Sequence, residues 1–224
     1  MAISFERLYE AALRHRGGDS EQLESLLATA ADPKALAAIL DARWLSAASK
    51  AVFSAGFNWS VVAKKWPAHE EAFANFDPNV LVGWPDDRLD ELVSDPSIIR
   101  HGAKIRSVFE NARFFHDLSR EHESVGAYMA ASPPDKYVDL LATLKKRGSR
   151  LGGTSGQYFL RSMGVPSLIL TRDVVRALIQ EGVIDKEPTS KLALAKVQDA
   201  ANQLMAQSGR DLTTVSRVLA LSVG

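Results

Sequence analysis
The 224-residue sequence predicts an all-α protein, on three observations. Apolar residues recur at three- and four-residue spacing almost throughout, the pattern of helices that bury one face. The period-two alternation of a half-buried strand is nearly absent. The periodic stretches are also punctuated by turn-forming residues at Gly17-Gly18, Pro67, Asp77-Pro78, Trp84-Pro85, Asp95-Pro96 and Ser132-Pro133-Pro134.

Each element follows in order. The first, through Phe5, Leu8, Tyr9, Ala12 and Leu13, is amphipathic and stops at Gly17-Gly18. Asp19 or Ser20 then caps a short helix carrying Leu23, Leu26 and Leu27. Helices are expected near 34–56, 58–65, 68–75, 86–94, 98–117, 122–131 and 136–147. After Gly148 they are expected near 154–163, 171–181 and 188–207. Gly209 ends the last of these, and Asp211 opens a final helix through Leu212, Val215, Val218 and Leu219. The exception is Val165-Pro166-Ser167-Leu168-Ile169-Leu170, read as an extended, buried connector.

Composition narrows the function classes. Lys plus Arg equals Asp plus Glu at 27 each, so the formal net charge is zero. Any nucleic-acid binding must then come from local charge clusters and backbone donors. Cysteine is absent, which excludes disulfides, thiolate zinc sites and cysteine nucleophiles. No metal or cofactor is expected. The opening Met1-Ala2-Ile3-Ser4-Phe5-Glu6-Arg7 lacks the pattern of a signal peptide. No stretch approaches the roughly 18 apolar residues of a membrane span. A cytoplasmic monomer without a membrane partner is the expectation.

Leu144-Lys145-Lys146-Arg147-Gly148-Ser149-Arg150-Leu151-Gly152-Gly153-Thr154 reads as a glycine-rich turn between two helices, a hairpin spanning roughly 136–163. A turn that opens a helix presents unpaired backbone N–H groups at the positive end of the dipole, where a DNA phosphate is well placed. Arg147, Gly148, Ser149, Arg150, Gly152, Gly153 and Thr154 are the candidate DNA contacts. The competing reading is an ordinary helix C-terminus, with Gly148 left-handed and the lysines favouring the helix end.

Further upstream, Ala55-Gly56-Phe57-Asn58-Trp59, Lys64-Lys65, Phe73, Phe76-Asp77-Pro78, Ile98-Ile99-Arg100-His101, Lys104-Ile105 and Asn111-Ala112-Arg113 follow one another in an ungapped order. Together with the hairpin, these residues resemble the DNA-3-methyladenine glycosylase I family, and more distantly the helix-hairpin-helix DNA glycosylase superfamily. The resemblance covers roughly residues 42–180. It implies one glycosylase-like domain over 1–224, with two helical lobes, a cleft between them and pocket helices at 42–65. It also implies a partner, double-stranded DNA with a flipped base. Trp59 matches the tryptophan that packs on the base in that family, and Phe53 and Phe57 either line the same wall or fill the core. Tryptophan offers the largest stacking face.

Departures from the family pattern bear on stability and on catalysis. The zinc site that the resemblance implies, two cysteines and two histidines joining the termini, cannot form in a chain without cysteine. The pocket glutamate expected eight residues before the tryptophan is Ala51, which offers neither charge nor hydrogen bond. The superfamily's catalytic aspartate, counted along the Gly-x-Pro connector, falls on Thr171, with Asp173 two residues on. Asp173 and Asp41 are the substitute carboxylates, and Thr171-Arg172-Asp173 also reads as a helix start. Glu70 and Glu71 lie near the pocket helices; Lys104 and Arg113 are phosphate contacts or surface pairs. The superfamily's lysine nucleophile has no counterpart among Gly156, Gln157 and Tyr158. The expected function is a monofunctional DNA glycosylase for alkylated purines in base-excision repair. The alternatives are a silent DNA-damage binder on the same fold and a helical interaction protein unrelated to DNA.

Overall fold
The computed structural model describes residues 3–224; Met1 and Ala2 of the opening segment lie outside it. Among the described residues the secondary structure is helical throughout, with no strand. In chain order the helices are α1 (Phe5–Arg14), α2 (Ser20–Leu26), α3 (Pro33–Ala37), α4 (Asp41–Ser54) and α5 (Trp59–Ala72). They continue as α6 (Pro78–Leu81), α7 (Asp87–Ser94), α8 (Gly102–His122), α9 (Val125–Ala131) and α10 (Tyr137–Arg147). The last four are α11 (Thr154–Ser162), α12 (Arg172–Gln180), α13 (Lys191–Ser208) and α14 (Leu212–Leu221). No helix is long and apolar enough to cross a membrane.

Side-chain caps set many of the starts. Ser4, Asp19, Asp32, Asn58, Asp77, Thr171, Ser190 and Asp211 each accept a bond from a first-turn N–H of the helix they open. Gly209, left-handed at φ 66°, closes α13 as expected.

Three expectations are corrected. The stretch 34–56 is two helices broken at 38–40. Gly126 of α9 lies so close to the Leu36, Ala37 and Ile39 carbonyls that a Cβ would come within 2.6–3.1 Å of them. The expected break at Pro67 does not occur, and α5 runs through it. Buried Trp66 and His69 flank the proline and anchor the helix on both sides, while Pro67 itself is exposed. The expected helix at 98–117 starts later, at Gly102, because Ile98 and Ile99 are buried as connector and His101 caps the helix.

The chain divides into two compact units. Among the described residues, the first joins 3–31, 132–140 and 164–224. Here α14 packs on α1, α12 and α13. The connector 165–170 is extended and largely buried as expected; its Ser167 and Ile169 N–H groups donate to Thr213 Oγ1 (3.2 Å) and Ser216 Oγ (3.1 Å). The second unit joins 32–131 and 141–163. Its centre is α4, which packs on α5, α8 and α11, with Trp44 edge-on to Phe159 at 6.0 Å. A second aromatic stack is formed by Trp66, His69, Phe73 and Phe76, with Phe76 parallel to Trp66 at 5.3 Å.

Candidate nucleic-acid interface
The end of α10, the turn and α11, within residues 141–163, lie in the second unit. At the end of α10, Lys145 and Lys146 are exposed. Arg147 instead forms a two-pronged pair with Glu121 of α8 (2.7 and 2.8 Å) and lies 5.1 Å over Phe114. This bond holds the Glu121 carboxyl below its usual range and raises the Arg147 guanidinium. The turn's left-handed residues are Arg150 (φ 58°) and Gly153 (φ 62°), so the left-handed Gly148 of the competing helix-end reading does not occur. Gly148 is needed for space: a Cβ would come within 2.7 Å of the Leu144 carbonyl.

The turn is anchored at two points. Leu151 is wholly buried. The Asn111 side chain of α8 accepts from the Ser149 N–H (2.7 Å) and donates to the Ser149 carbonyl (3.0 Å). Beyond these anchors Gly153 opens α11 without a side-chain capping bond. The first helical bond runs from Gln157 N–H to the Gly153 carbonyl at 3.4 Å. The first-turn N–H groups of 154–156 therefore lack intrahelical acceptors, and Gly153 and Thr154 are exposed. Exposed Arg150, Lys145 and Lys146 add positive charge around this helix start.

Trp59 is the first residue of α5 and is 60% exposed. It meets Tyr158 of α11 edge to face, with centroids 5.5 Å apart. Tyr158 is also exposed. Sequence reading gave it no such role, although its position one turn after Thr154 was a usable signal: the helix start that offers N–H groups carries this ring one turn up. Phe57 is exposed beside His101 (6.3 Å), with Lys104 Nζ 4.3 Å from its ring. Phe53 is placed differently. Its side chain has no exposed surface and is edge-on to Trp66 and His69 at 6.1 and 4.9 Å. It is core, and the expectation that it lines a base wall is corrected.

Lys104 is neither a phosphate contact nor a surface pair. It is buried on α8, and its ammonium donates to the carbonyls of Phe53 (3.0 Å) and Ala55 (2.6 Å). It thereby caps the α4 C-terminus, where carbonyls lack partners and a cation suits the dipole. Burial pushes its pKa down, and the charge of Arg150 adds to the shift.

Asp41 Oδ1 accepts from the Val125 N–H (2.9 Å) at the start of α9. It lies ten residues from Ala51 along α4, about 15 Å by helical rise. Asp173 is exposed in the first turn of α12, 3.7 Å from Arg176. Thr171 caps that helix by accepting from Val174 N–H (3.3 Å). Glu70 bonds Arg43 (2.6 Å) and Ser46 (3.1 Å), and Ser46 in turn accepts from the Trp66 indole (3.1 Å). Glu71 is exposed. Among the described residues no three His, Cys, Asp or Glu side chains are grouped to hold a metal ion.

This arrangement, a glycine hairpin opening a helix inside an all-α unit, defines the helix-hairpin-helix class of DNA glycosylase folds. The solved 8-oxoguanine DNA glycosylase of Methanocaldococcus jannaschii shares the fold over 95% of this chain and 89% of its own, at TM-score 0.52 and 14% identity. The 3-methyladenine DNA glycosylase I of Staphylococcus aureus shares it over 69% of this chain and 92% of its own, at TM-score 0.51 and 21% identity. Within that class, residues 49–140 match the methyladenine glycosylase family. DNA-3-methyladenine glycosylase 1 of Escherichia coli is 28% identical over 130 residues, covering 50% of this chain and 70% of its own. Over that stretch the chain is similar to methyladenine glycosylases.

Proposed function
We propose that the protein is a DNA glycosylase that captures duplex DNA through the α10–α11 hairpin and removes alkylated purines of the 3-methyladenine type. One observation carries the reading: the helix start with free N–H groups and the exposed Trp59–Tyr158 pair occupy one unit and share α11. A phosphate held at residues 153–155 lies about 6 Å of helical rise below Tyr158, and a flipped base stacks on Trp59 beside it. Phe57, two residues before Trp59, is exposed as well.

Water attacks C1′ of the sugar, and the N-glycosidic bond breaks with its electron pair leaving on the base. The products are free base and an abasic site, and the water proton passes to solvent. A purine alkylated on N3 or N7 is cationic and leaves as a neutral base, so it needs less help from an acid than an unmodified base does. This is the lesion class compatible with Ala51 and with aspartates engaged at helix starts. Without a lysine among Gly156, Gln157 and Tyr158, strand nicking does not follow excision.

The same engaged aspartates favour a second reading, a DNA-damage binder that does not cleave. One experiment separates the two. Methylated duplex is incubated with the protein, and free methylpurine and abasic sites are measured. Release above the uncatalysed rate establishes the glycosylase; tight lesion binding without release establishes the binder. Trp59→Ala is expected to weaken lesion-duplex binding by about 1–3 kcal/mol, the range for one stacking platform. Unmodified duplex, held through phosphates, is affected little. Equal losses on both duplexes would remove Trp59 from the site.

A further inference from the structure
One face of α8 reaches both parts of the interface. Lys104 ties off the end of α4 beneath Phe57. Seven residues on, two turns along the same face, Asn111 engages Ser149 of the hairpin. Asn111 has no exposed surface. Its two bonds satisfy both backbone groups of the residue immediately before left-handed Arg150. That conformation is unfavourable for any residue with a Cβ and persists only where the surroundings hold it. Gly148 on one side and buried Leu151 on the other leave Ser149 as the remaining point at which the turn can be fixed.

We infer that Asn111 is a positioning residue for DNA binding: by clamping Ser149 it holds Arg150 and the open start of α11 in the geometry that accepts a phosphate. The inference rests on the reading of the hairpin as the DNA grip. Asn111 itself is buried and touches no DNA. Its contribution is preorganisation, because a turn that must be ordered on binding binds more weakly.

The test measures affinity of the full chain for a labelled unmodified duplex, with Asn111→Ala, Asn111→Asp and Arg150→Ala compared to wild type. Asn111→Ala removes both bonds and is expected to weaken binding about tenfold. Its preference for lesion over unmodified duplex should be unchanged, because the Trp59 platform is untouched. Asn111→Asp keeps the acceptor for Ser149 N–H but turns a carboxylate oxygen toward the Ser149 carbonyl, so it should bind no better than Asn111→Ala. Wild-type affinity in a folded Asn111→Ala, alongside a loss in Arg150→Ala, overturns the inference and leaves the hairpin reading standing. Absence of duplex binding by wild type, or no loss in Arg150→Ala, overturns both. Should Asn111→Ala not fold, hydrogen exchange on wild type decides. The Ser149 amide must then exchange as slowly as the interior of α8, and exchange at the rate of an unstructured peptide overturns the clamp.

Discussion
Arg150 carries opposite demands from folding and from binding. Its φ of 58° is one that glycine adopts at no steric cost. Arg150→Gly is therefore expected to stabilise the protein by up to about 1 kcal/mol while weakening duplex binding and lowering its salt dependence. Chemical denaturation and binding at several salt concentrations check the pair of effects. A variant that loses both stability and affinity would show that the side chain also packs.

His69 is tied to pH in a similarly specific way. It is fully buried, with Nδ1 against the Lys65 carbonyl (2.9 Å) and Nε2 accepting from Ile99 N–H (3.2 Å), which fixes one neutral tautomer. Burial lowers its pKa, outweighing the carbonyl bond that favours the charged form. The unfolded state takes up a proton near pH 6.5, and the folded state does so only at lower pH. Below pH 6.5 the unfolded state thus binds more protons, and stability is lost as the pH is lowered until the folded value is passed. His69→Gln should be less stable at neutral pH yet show a flatter stability profile between pH 7 and 5. An equally steep profile in the variant would place the acid sensitivity elsewhere.

At the scale of elements, the helices with a clean apolar stripe, such as α12, α13 and α14, were legible in the sequence to within about three residues. So was the hairpin, whose glycines have local causes. The misses depend on contacts from distant sequence. The break at 38–40 follows from the close approach of Gly126, and the continuity of α5 through Pro67 follows from the seating of Trp66 and His69 in the core. Phe53 and Phe57 look alike in sequence, four residues apart, but α4 ends at Ser54 and only Phe53 keeps its helical register toward the core. Lys104 and Asn111 left a signal that was passed over: both are polar residues on the apolar stripe that also carries Ile105, Val108 and Ala112. Gly156 gives the element-scale prediction. A Cβ there would collide with the Leu151 carbonyl, a backbone atom that cannot swing away. Gly156→Ala is expected to cost about 3 kcal/mol or more and to displace α11 from the turn. Thermal denaturation and duplex binding should both register it, and near-wild-type values in both would mean that the hairpin tolerates a looser packing.

Across the whole molecule, the resembled family joins its termini through a cysteine–histidine zinc site that this cysteine-free chain cannot build. The first unit makes the join with polar side chains instead. Arg7 pairs with Glu181, and the Gln207 amide bonds both Phe5 N–H (2.7 Å) and the Ile3 carbonyl (3.0 Å). Arg210 grips Glu24 at 2.8 and 3.0 Å, Tyr9 donates to the same carboxylate (2.7 Å), and Arg176 reaches the Gly224 carbonyl (2.8 Å). Beneath these bonds Ile3, Leu8 and Ala12 are buried. If this lattice has taken over the metal's structural role, chelators should leave the melting temperature unchanged. Deleting residues through Gly17 should lower it by about 5–15 °C, from the loss of two large buried side chains and the stitching over them. The two treatments decide between the accounts. A chelator-sensitive transition would mean a metal held by other ligands, and a deletion without effect would mean that α1 merely rests on the first unit.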